Sequence, residues 1–393
     1  MTVAMAPYHD VADWARQQEE LVVLQLEAFA LRDMASGRTA DPVKVAETIK
    51  SPAELASFVA ALRTQGQLTS SNDELDQLRR VISARAAETT PRPPLDVLAE
   101  RLQLMPLELD VLRLLWVLQT SPAVHRFAQA LWHDLAEGPI GLDFVIAALT
   151  TRSAERLRLR NALAQSGPLR RWSLVIATNH RSAYPTLALP EGLLTWLAGA
   201  PLTPSGPYRI LHDAPIVQPE RLVTEARWPA LQAALAPGKK LRLLLQAPSG
   251  SGVETLVRGL AWQAGAPLVV AEARALLQNR ADADQLLDHA LRDAILAGGW
   301  LCLEVPTTWE AGTTLFVDRA EERFRDAPVP VVVVCEIISP PTRELTRDYT
   351  SVDIGTLSTE ERGVLWRDAT PVDASDASCP APRAMSPKRR ARE

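Results

Sequence analysis

Short apolar runs alternate with segments of helical length throughout the second half of the chain. The runs cover residues 241–246, 267–271, 300–304, 329–335 and 351–354, and helical patterning fills 254–264, 281–297, 309–325 and 358–368. Buried strands that alternate with helices are typical of a parallel sheet with both faces covered. The pattern therefore predicts an α/β domain built on a doubly wound parallel sheet.

The first half of the chain has apolar residues at helical spacing instead. Residues 8–88 have helical patterning, and SPAE at 51–54 has the composition of a helix start. Beyond a proline-rich break at 89–94, shorter helical segments cover 95–103, 106–119, 122–136, 142–149 and 153–165. A strand-like run at 169–177, a short partner at 187–189 and a helix at 190–197 follow. Short helices followed by a small β-ribbon predict a winged-helix-like domain.

These patterns divide the chain into five parts. They are a helical region at 1–90, a winged-helix-like domain at 91–202, a linker at 203–218, the α/β domain at 219–369 and a tail at 370–393. The sequence PLTPSGP at 201–207 is the strongest linker signal. The tail has no apolar period and ends in KRRAR, so we expect it to be disordered.

Composition and charge exclude several classes of protein. The 393 residues are 47% hydrophobic, which excludes wholesale disorder, and the charge of 42 − 47 = −5 excludes a globally basic nucleic-acid coat. Cys302, Cys335 and Cys379 form no CxxC pair, so we expect neither a disulfide framework nor a metal site. The N-terminus lacks a signal-peptide pattern, and no apolar run could span a bilayer. We therefore expect a soluble, cytoplasmic protein that does not bind membranes.

A glycine-containing turn follows the first predicted strand of the α/β domain. The strand LRLLLQ leads into APSGSGVET at 247–255 and then into the helical segment LVRGLAWQA. Strand, glycine turn and helix form the setting in which backbone N–H groups hold phosphates. The candidate nucleotide-binding residues of this turn are Pro248, Gly250, Ser251, Gly252, Val253, Glu254 and Thr255.

This turn resembles the Walker A loop of AAA+ ATPases, G-P-P-G-T-G-K-T, which is followed by L-x-R-A-L-A. Pro248, Gly250 and Gly252 match the loop, and LVRGLA at 256–261 matches the helix. The departures concern the chemistry, because Val253 stands at the lysine position and Glu254 at the threonine position. A slip of one residue would place Thr255 at the threonine position, but Glu254 would then replace the lysine. In either alignment, a carboxylate lies where the family binds phosphate.

The later strands also resemble the family with changes at its chemical positions. Glu304 ends the third strand at the place of a magnesium ligand, and Val305 replaces the glutamate that activates water in the family. Valine cannot polarise water, so the resemblance implies no catalytic residue here. The stretches RDYTSVDI at 347–354 and LSTEERGVLW at 357–366 resemble the family's last strand and the helix after it. The resemblance covers about 220–370.

The order of the domains resembles the front half of certain bacterial AAA+ ATPases. In these proteins a winged-helix-like region and a degenerate module precede an intact ATPase module, and some accompany contractile injection systems. The resemblance implies a non-hydrolysing protein that regulates, scaffolds or recruits substrate for an active ATPase module, with that module or its substrate as partner. The absence of a second module and the abrupt change near 370 suggest a truncated or frame-shifted longer protein.

Two other functions remain open from the sequence. One is an ATPase in which Thr255 and Glu304 hold magnesium and a cation from elsewhere replaces the lysine, so that ATP and magnesium would be its cofactors. The other is a winged-helix DNA-binding regulator, because residues 152–171 contain six arginines. We expect no cofactor, and DNA binding that is weak if it occurs, because the whole chain is acidic.

Overall fold

The computed structural model describes most of the chain in several stretches. They are residues 6–35, 68–132, 140–178, 185–215, 217–235, 240–248, 251–278, 282–305, 311–335, 349–355 and 358–360. The predicted helix start at 51–54, loop residues Ser249 and Gly250, most of the predicted helix 358–368 and the tail 370–393 lie outside the described residues.

The first half is helical and ends in a small hairpin, as the sequence predicts. Its helices are α1 (Val11–Ala35), α2 (Leu68–Glu88), α3 (Pro94–Leu102), α4 (Pro106–Thr120), α5 (Pro122–Leu131), α6 (Leu142–Leu149), α7 (Ser153–Ala162), α8 (Pro168–Arg171) and α9 (Glu191–Leu197). Strands β1 (Ile176–Thr178) and β2 (Thr186–Ala188) pair antiparallel just before α9.

The predicted strand at 169–177 is mostly wrong. Residues Pro168–Arg171 form one turn of helix, with Gly167 at the N-cap and Pro168 at the first helical position. Proline is well suited to that position because its missing N–H would have no partner there. The strand therefore begins only at Ile176.

Helix α1 packs into the same core as the helices of the predicted winged-helix-like domain. The rings of Trp14 on α1 and Trp116 on α4 are 5.0 Å apart, and Phe29 meets the edge of Phe144 on α6. The predicted division at residue 90 does not correspond to a break in this core.

The second half contains a six-stranded sheet with helices on both faces. Its elements are β3 (Tyr208–Leu211), a 3₁₀ turn (Pro219–Leu222), α10 (Trp228–Ala234), β4 (Arg242–Gln246), α11 (Val253–Gln263), β5 (Leu268–Glu272), α12 (Ala273–Gln278), α13 (Ala283–Ala297), β6 (Trp300–Glu304), α14 (Ala311–Phe324), β7 (Val331–Cys335) and β8 (Thr350–Asp353). The strand order is β3-β5-β6-β7-β4-β8.

Side chains along each strand alternate between two apolar layers. On β4, Leu244 faces the layer that contains α12, α13 and α14, whereas Leu243 and Leu245 face the layer that contains α11. Because successive side chains of a strand point to opposite faces, an uninterrupted apolar run is buried on both sides. The structure thus contains the predicted doubly wound arrangement.

Strand β3 departs from the prediction. It lies within the predicted linker 203–218 and pairs antiparallel with β5, from Tyr208 opposite Ala271 to Leu211 opposite Leu268. The sheet is therefore mixed rather than wholly parallel, and 208–211 belong to it. The proline and glycine signal at 201–207 indicates a turn before this strand, not a longer linker.

A buried polar network joins β3 to α13 and to the turn that follows α8 in the first half. The Tyr208 hydroxyl donates a hydrogen bond to Asp293 on α13, and Arg292 is paired with the same carboxylate. Arg292 also donates to the Ser205 hydroxyl at 3.0 Å and to the Ser173 carbonyl oxygen at 3.5 Å. One buried guanidinium therefore connects the first half, the 201–207 turn and the α/β sheet.

At the carboxyl edge of the sheet, the chain leaves two of the central strands toward opposite faces. Strand β4 leads to α11 on one face of the sheet, and β6, two strands away, leads to α14 on the other. Ligands of open α/β sheets bind at such topological switch points. This edge of the sheet, here called the crevice, contains the start of α11 and Glu304.

Candidate functional site

The glycine turn after β4 begins α11 as the sequence predicts. Gly252 is the N-cap and has φ of +78°, a left-handed conformation that favours glycine. The Ser251 N–H donates to the Pro248 carbonyl oxygen at 3.2 Å, and the Leu256 N–H donates to that of Gly252 at 3.0 Å. The helix therefore begins at Val253, with its first free N–H groups at the crevice.

The side chain at the lysine position faces the protein interior. Val253 is only 6% exposed and belongs to the apolar cluster that contains Leu222 and Leu256. The next residue but one, Thr255, is half-buried on the first turn of the helix. This packing directs Val253 into the layer beneath the helix.

The carboxylate of Glu254 is held by a cation from the edge strand. The Arg209 guanidinium on β3 donates a hydrogen bond to Glu254 at 3.0 Å and lies 3.7 Å from a carboxylate oxygen of Glu272. This hydrogen bond to Glu254 raises the pKa of Arg209 and outweighs burial, which lowers it. The three side chains form one charged group at the ends of β3 and β5 and the start of α11.

Glu304 adds a third carboxylate to this group. It ends β6 directly opposite Glu272 of β5 in the sheet register. Burial raises the pKa of Glu304, and the negative charges of Glu254 and Glu272 raise it further, while Arg209 lowers it. The next residue, Val305, is buried and apolar, so no polar side chain follows Glu304 directly.

The sequence identified only two members of this group. Glu254 and Glu304 were candidates because they stand at Walker positions, whereas Arg209 and Glu272 were missed. Glu272 could have been found as a charged residue at the end of an apolar run. Arg209 could not, because it lies within the predicted linker. In the described stretches, no cluster of three or more histidines, cysteines or acidic residues has the arrangement of a metal site.

Two arginines of the predicted basic segment 152–171 form ion pairs with aspartates. Arg160 lies 3.5 Å from Asp143, and Arg171 lies 2.6 Å from Asp326. Arg152, Arg156 and Arg158 are exposed on and next to α7.

The comparison with protein families concerns the first half of the chain. Residues 1–191 match the family model "Winged helix domain, variant". This winged-helix match supports the fold predicted for the region, and it includes α1 and α2 as well as the hairpin. No curated protein matches the chain.

Among solved structures, the chain is similar to one described as Rhizobiales Trip13. The two chains are 15% identical with a TM-score of 0.27, and the alignment covers 39% of this chain and 71% of the other. Among the described residues, no helix is both long enough and apolar enough to cross a membrane.

Proposed function

We propose that this chain is a non-hydrolysing AAA+-like protein that regulates, scaffolds or recruits substrate for an active ATPase module. The observation that carries the proposal is the ion pair between Arg209 and Glu254 at the start of α11. It supplies the protein's own charge pair at the place where the family holds a phosphate.

The residues of the crevice do not fit the phosphates of ATP. Glu254, Glu272 and Glu304 bring three carboxylates to the ends of adjacent elements, and Arg209 supplies one positive charge against them. Two like charges about 4 Å apart repel by roughly 4 kcal/mol at an effective dielectric of 20. The start of a helix contributes only about 0.3–2 kcal/mol toward binding an anion. Repulsion therefore exceeds the attraction that the loop offers.

The chain lacks both the base that would activate water for hydrolysis and the lysine that would bind the phosphates. Val253 and Val305 are buried apolar side chains at the positions that would hold phosphate and activate water. We therefore assign no catalytic residue and no resident ATP or magnesium. The protein partner that we propose is an ATPase module or its substrate.

Packing between the two halves supports a scaffold role. Arg101 on α3 donates to the carbonyl oxygens of Ile295 and Leu296 at the end of α13, the Ile295 bond measuring 2.9 Å. One apolar cluster includes residues of the N-terminal helices and of one face of the sheet. Such continuity would let the α/β domain hold the winged-helix region in a fixed position.

A gain-of-function experiment tests the proposal. The substitution Glu254→Thr restores the Walker A threonine and removes the carboxylate at the start of α11, and we expect it to gain affinity for a fluorescent ATP analogue while the unmodified chain shows none. Glu304→Gln in the same background should increase that affinity further by removing a negative charge. Binding by the unmodified chain that is equal to that of the restored variant would refute the proposal.

Arg209 favours one competing function. It is a cation at the crevice, so it could replace the missing lysine in an ATPase that uses Thr255 and Glu304 as magnesium ligands. Under that alternative, Arg209→Gln would abolish nucleotide binding by the unmodified chain, whereas our proposal predicts no binding to abolish.

A further inference from the structure

The outward side of α7 carries an exposed row of uncharged residues. Leu159 and Ala162 are buried on the inward side and hold the helix against the core. On the outward side Ser153, Leu157 and Asn161 are exposed, and the exposed fraction of Leu157 is 63%. Because these three residues are four apart in sequence, they lie one above the other along the helix. They form a neutral ridge, which is the outermost part of α7.

Arginines flank the neutral ridge on both sides. Arg156 and Arg160 are four residues apart and lie on one side of it, about 6 Å from each other along the helix axis. Arg158 lies about 160° around the helix from Arg156 and therefore on the other side. Arg152 is the N-cap residue, directly before the first turn. All four side chains are exposed, so α7 presents positive charge along both flanks.

Most of this positive charge has no carboxylate partner. Among the described residues Arg152, Arg156 and Arg158 form no ion pair, whereas Arg160 lies 3.5 Å from Asp143 in a pair that is exposed on both sides and therefore weak. Glu155, the acidic residue of α7, accepts hydrogen bonds from the N–H groups that precede the helix, at 3.0 and 3.1 Å. The outer face of α7 thus has an excess of positive charge.

The cleft behind α7 has no such excess. Arg158 also borders this cleft, which lies among the helices of the first half and has a volume of ≈ 940 Å³. Four arginines and four carboxylates line it, and Asp110, for example, pairs with Arg79 at 2.8 Å. Because the charges of the cleft are balanced, we place the binding surface on the outer face of α7 and not in the cleft.

We propose that the outer face of α7 binds duplex DNA by entering the major groove. That groove is about 12 Å wide and admits one α-helix, with a row of phosphates along each edge. The arginines on the two flanks contact the phosphates of the two strands, and the neutral ridge faces the base edges. The surface shares no residue with the crevice, so this site stands apart from the function proposed above.

The arrangement of charge favours DNA over an acidic protein. A strip of carboxylates on a protein surface is best met by arginines in one central row, whereas α7 has a neutral row at its centre and arginines on either side. Duplex RNA fits less well, because its major groove is deep and narrow. Since the whole chain has a net charge of −5, we expect the weak affinity that is typical of phosphate contacts alone.

Fluorescence anisotropy with a labelled DNA duplex of about twenty base pairs tests the surface in the full chain. We expect a Kd of about 1–100 μM that rises with salt concentration. The R152Q/R156Q/R158Q variant should bind about tenfold more weakly or worse. It should also flatten the slope of log K against log salt by about 2–3, because each lost phosphate contact contributes about 0.9.

The matched control removes the same charge from the second half of the chain. Lys240, Arg274 and Arg325 are exposed there, so K240Q/R274Q/R325Q should bind DNA as the unmodified chain does. Both triple variants should keep the Tm of the unmodified chain, because all six side chains are exposed. An equal loss of binding in the two triple variants would show that net charge alone is responsible and would overturn the proposal.

Leu157→Glu tests whether the ridge enters the groove. It places one carboxylate between the two rows of arginines, so we expect binding to weaken about tenfold, whereas Leu315→Glu, at a leucine of α14 that is 55% exposed, should have no effect. Unchanged binding by Leu157→Glu would overturn the proposal. So would the absence of binding at about 0.05 M salt, or binding of an RNA duplex or poly-L-glutamate that is as tight as that of DNA.

Discussion

Arg209 on the edge strand and Glu254 on the first turn of α11 are joined by a 3.0 Å hydrogen bond between their charged groups. The two residues are 45 positions apart, and the antiparallel pairing of β3 with β5 brings them together. The bond places a positive charge among the three glutamates at this edge of the sheet.

Arg209→Gln should lower the free energy of unfolding at neutral pH. Both partners are at least one-third exposed, so we expect a loss of about 0.5–1 kcal/mol. Urea titrations of the variant and the unmodified chain at pH 7 measure this loss. In a double-mutant cycle with Glu254→Gln, strictly additive effects would contradict the pairing.

Glu304→Gln should raise the free energy of unfolding at pH 7. The folded-state pKa of Glu304 is raised by burial and by its glutamate neighbours, so its ionised form disfavours the folded state. The folded chain binds this proton more readily than the unfolded chain, and stability from this group therefore falls as pH rises through its pKa. Thermal unfolding should show that the variant is more stable than the unmodified chain at pH 7 and that this difference disappears below about pH 4. A gain that persisted at low pH would mean that packing, not charge, is its cause.

His289 should make the chain sensitive to acid. Burial lowers its pKa from 6.5 to about 4, and neither ring nitrogen has a hydrogen-bond partner within the described residues. The unfolded chain binds a proton between those pH values and the folded chain does not, so stability falls as pH decreases. As pH decreases from 7 to 4, the free energy of unfolding of the His289→Leu variant should rise by up to about 3 kcal/mol relative to that of the unmodified chain.

Asp288, the neighbour of His289, acts in the opposite direction. Burial raises its pKa to about 6, despite a 2.6 Å contact with Arg323, so its contribution to stability grows as pH decreases. In the His289→Leu variant, the free energy of unfolding should therefore rise as pH decreases. The exposed His212→Gln is the control, and an equal effect there would contradict the assignment to His289.

Arg292→Leu should destabilise the chain strongly. The side chain is 1% exposed and paired with the buried Asp293, so its removal leaves an uncompensated charge at a cost of about 3–5 kcal/mol. Adding Asp293→Asn should recover part of this loss, because the unpaired carboxylate is then removed. Chemical denaturation of the unmodified chain and the two variants measures both changes, and a loss below about 1 kcal/mol for Arg292→Leu would refute the role of the network.

The periodic elements could be predicted from the sequence because their signal is local. The run at 300–304 is the observed strand β6, and Gly252 begins the helix at the predicted turn. Strand β3 could not be predicted, since its four residues acquire their partner only through the sheet register with β5. Arg209 was missed for the same reason.

Titration calorimetry of the full unmodified chain with magnesium-ATP shows whether the crevice binds a nucleotide. We expect no binding with a Kd below about 10 μM, because Glu254, Glu272 and Glu304 repel phosphate and Arg209 is held by two of them. A Kd below about 10 μM would contradict it and would favour an ATPase that uses Arg209 as its phosphate-binding cation.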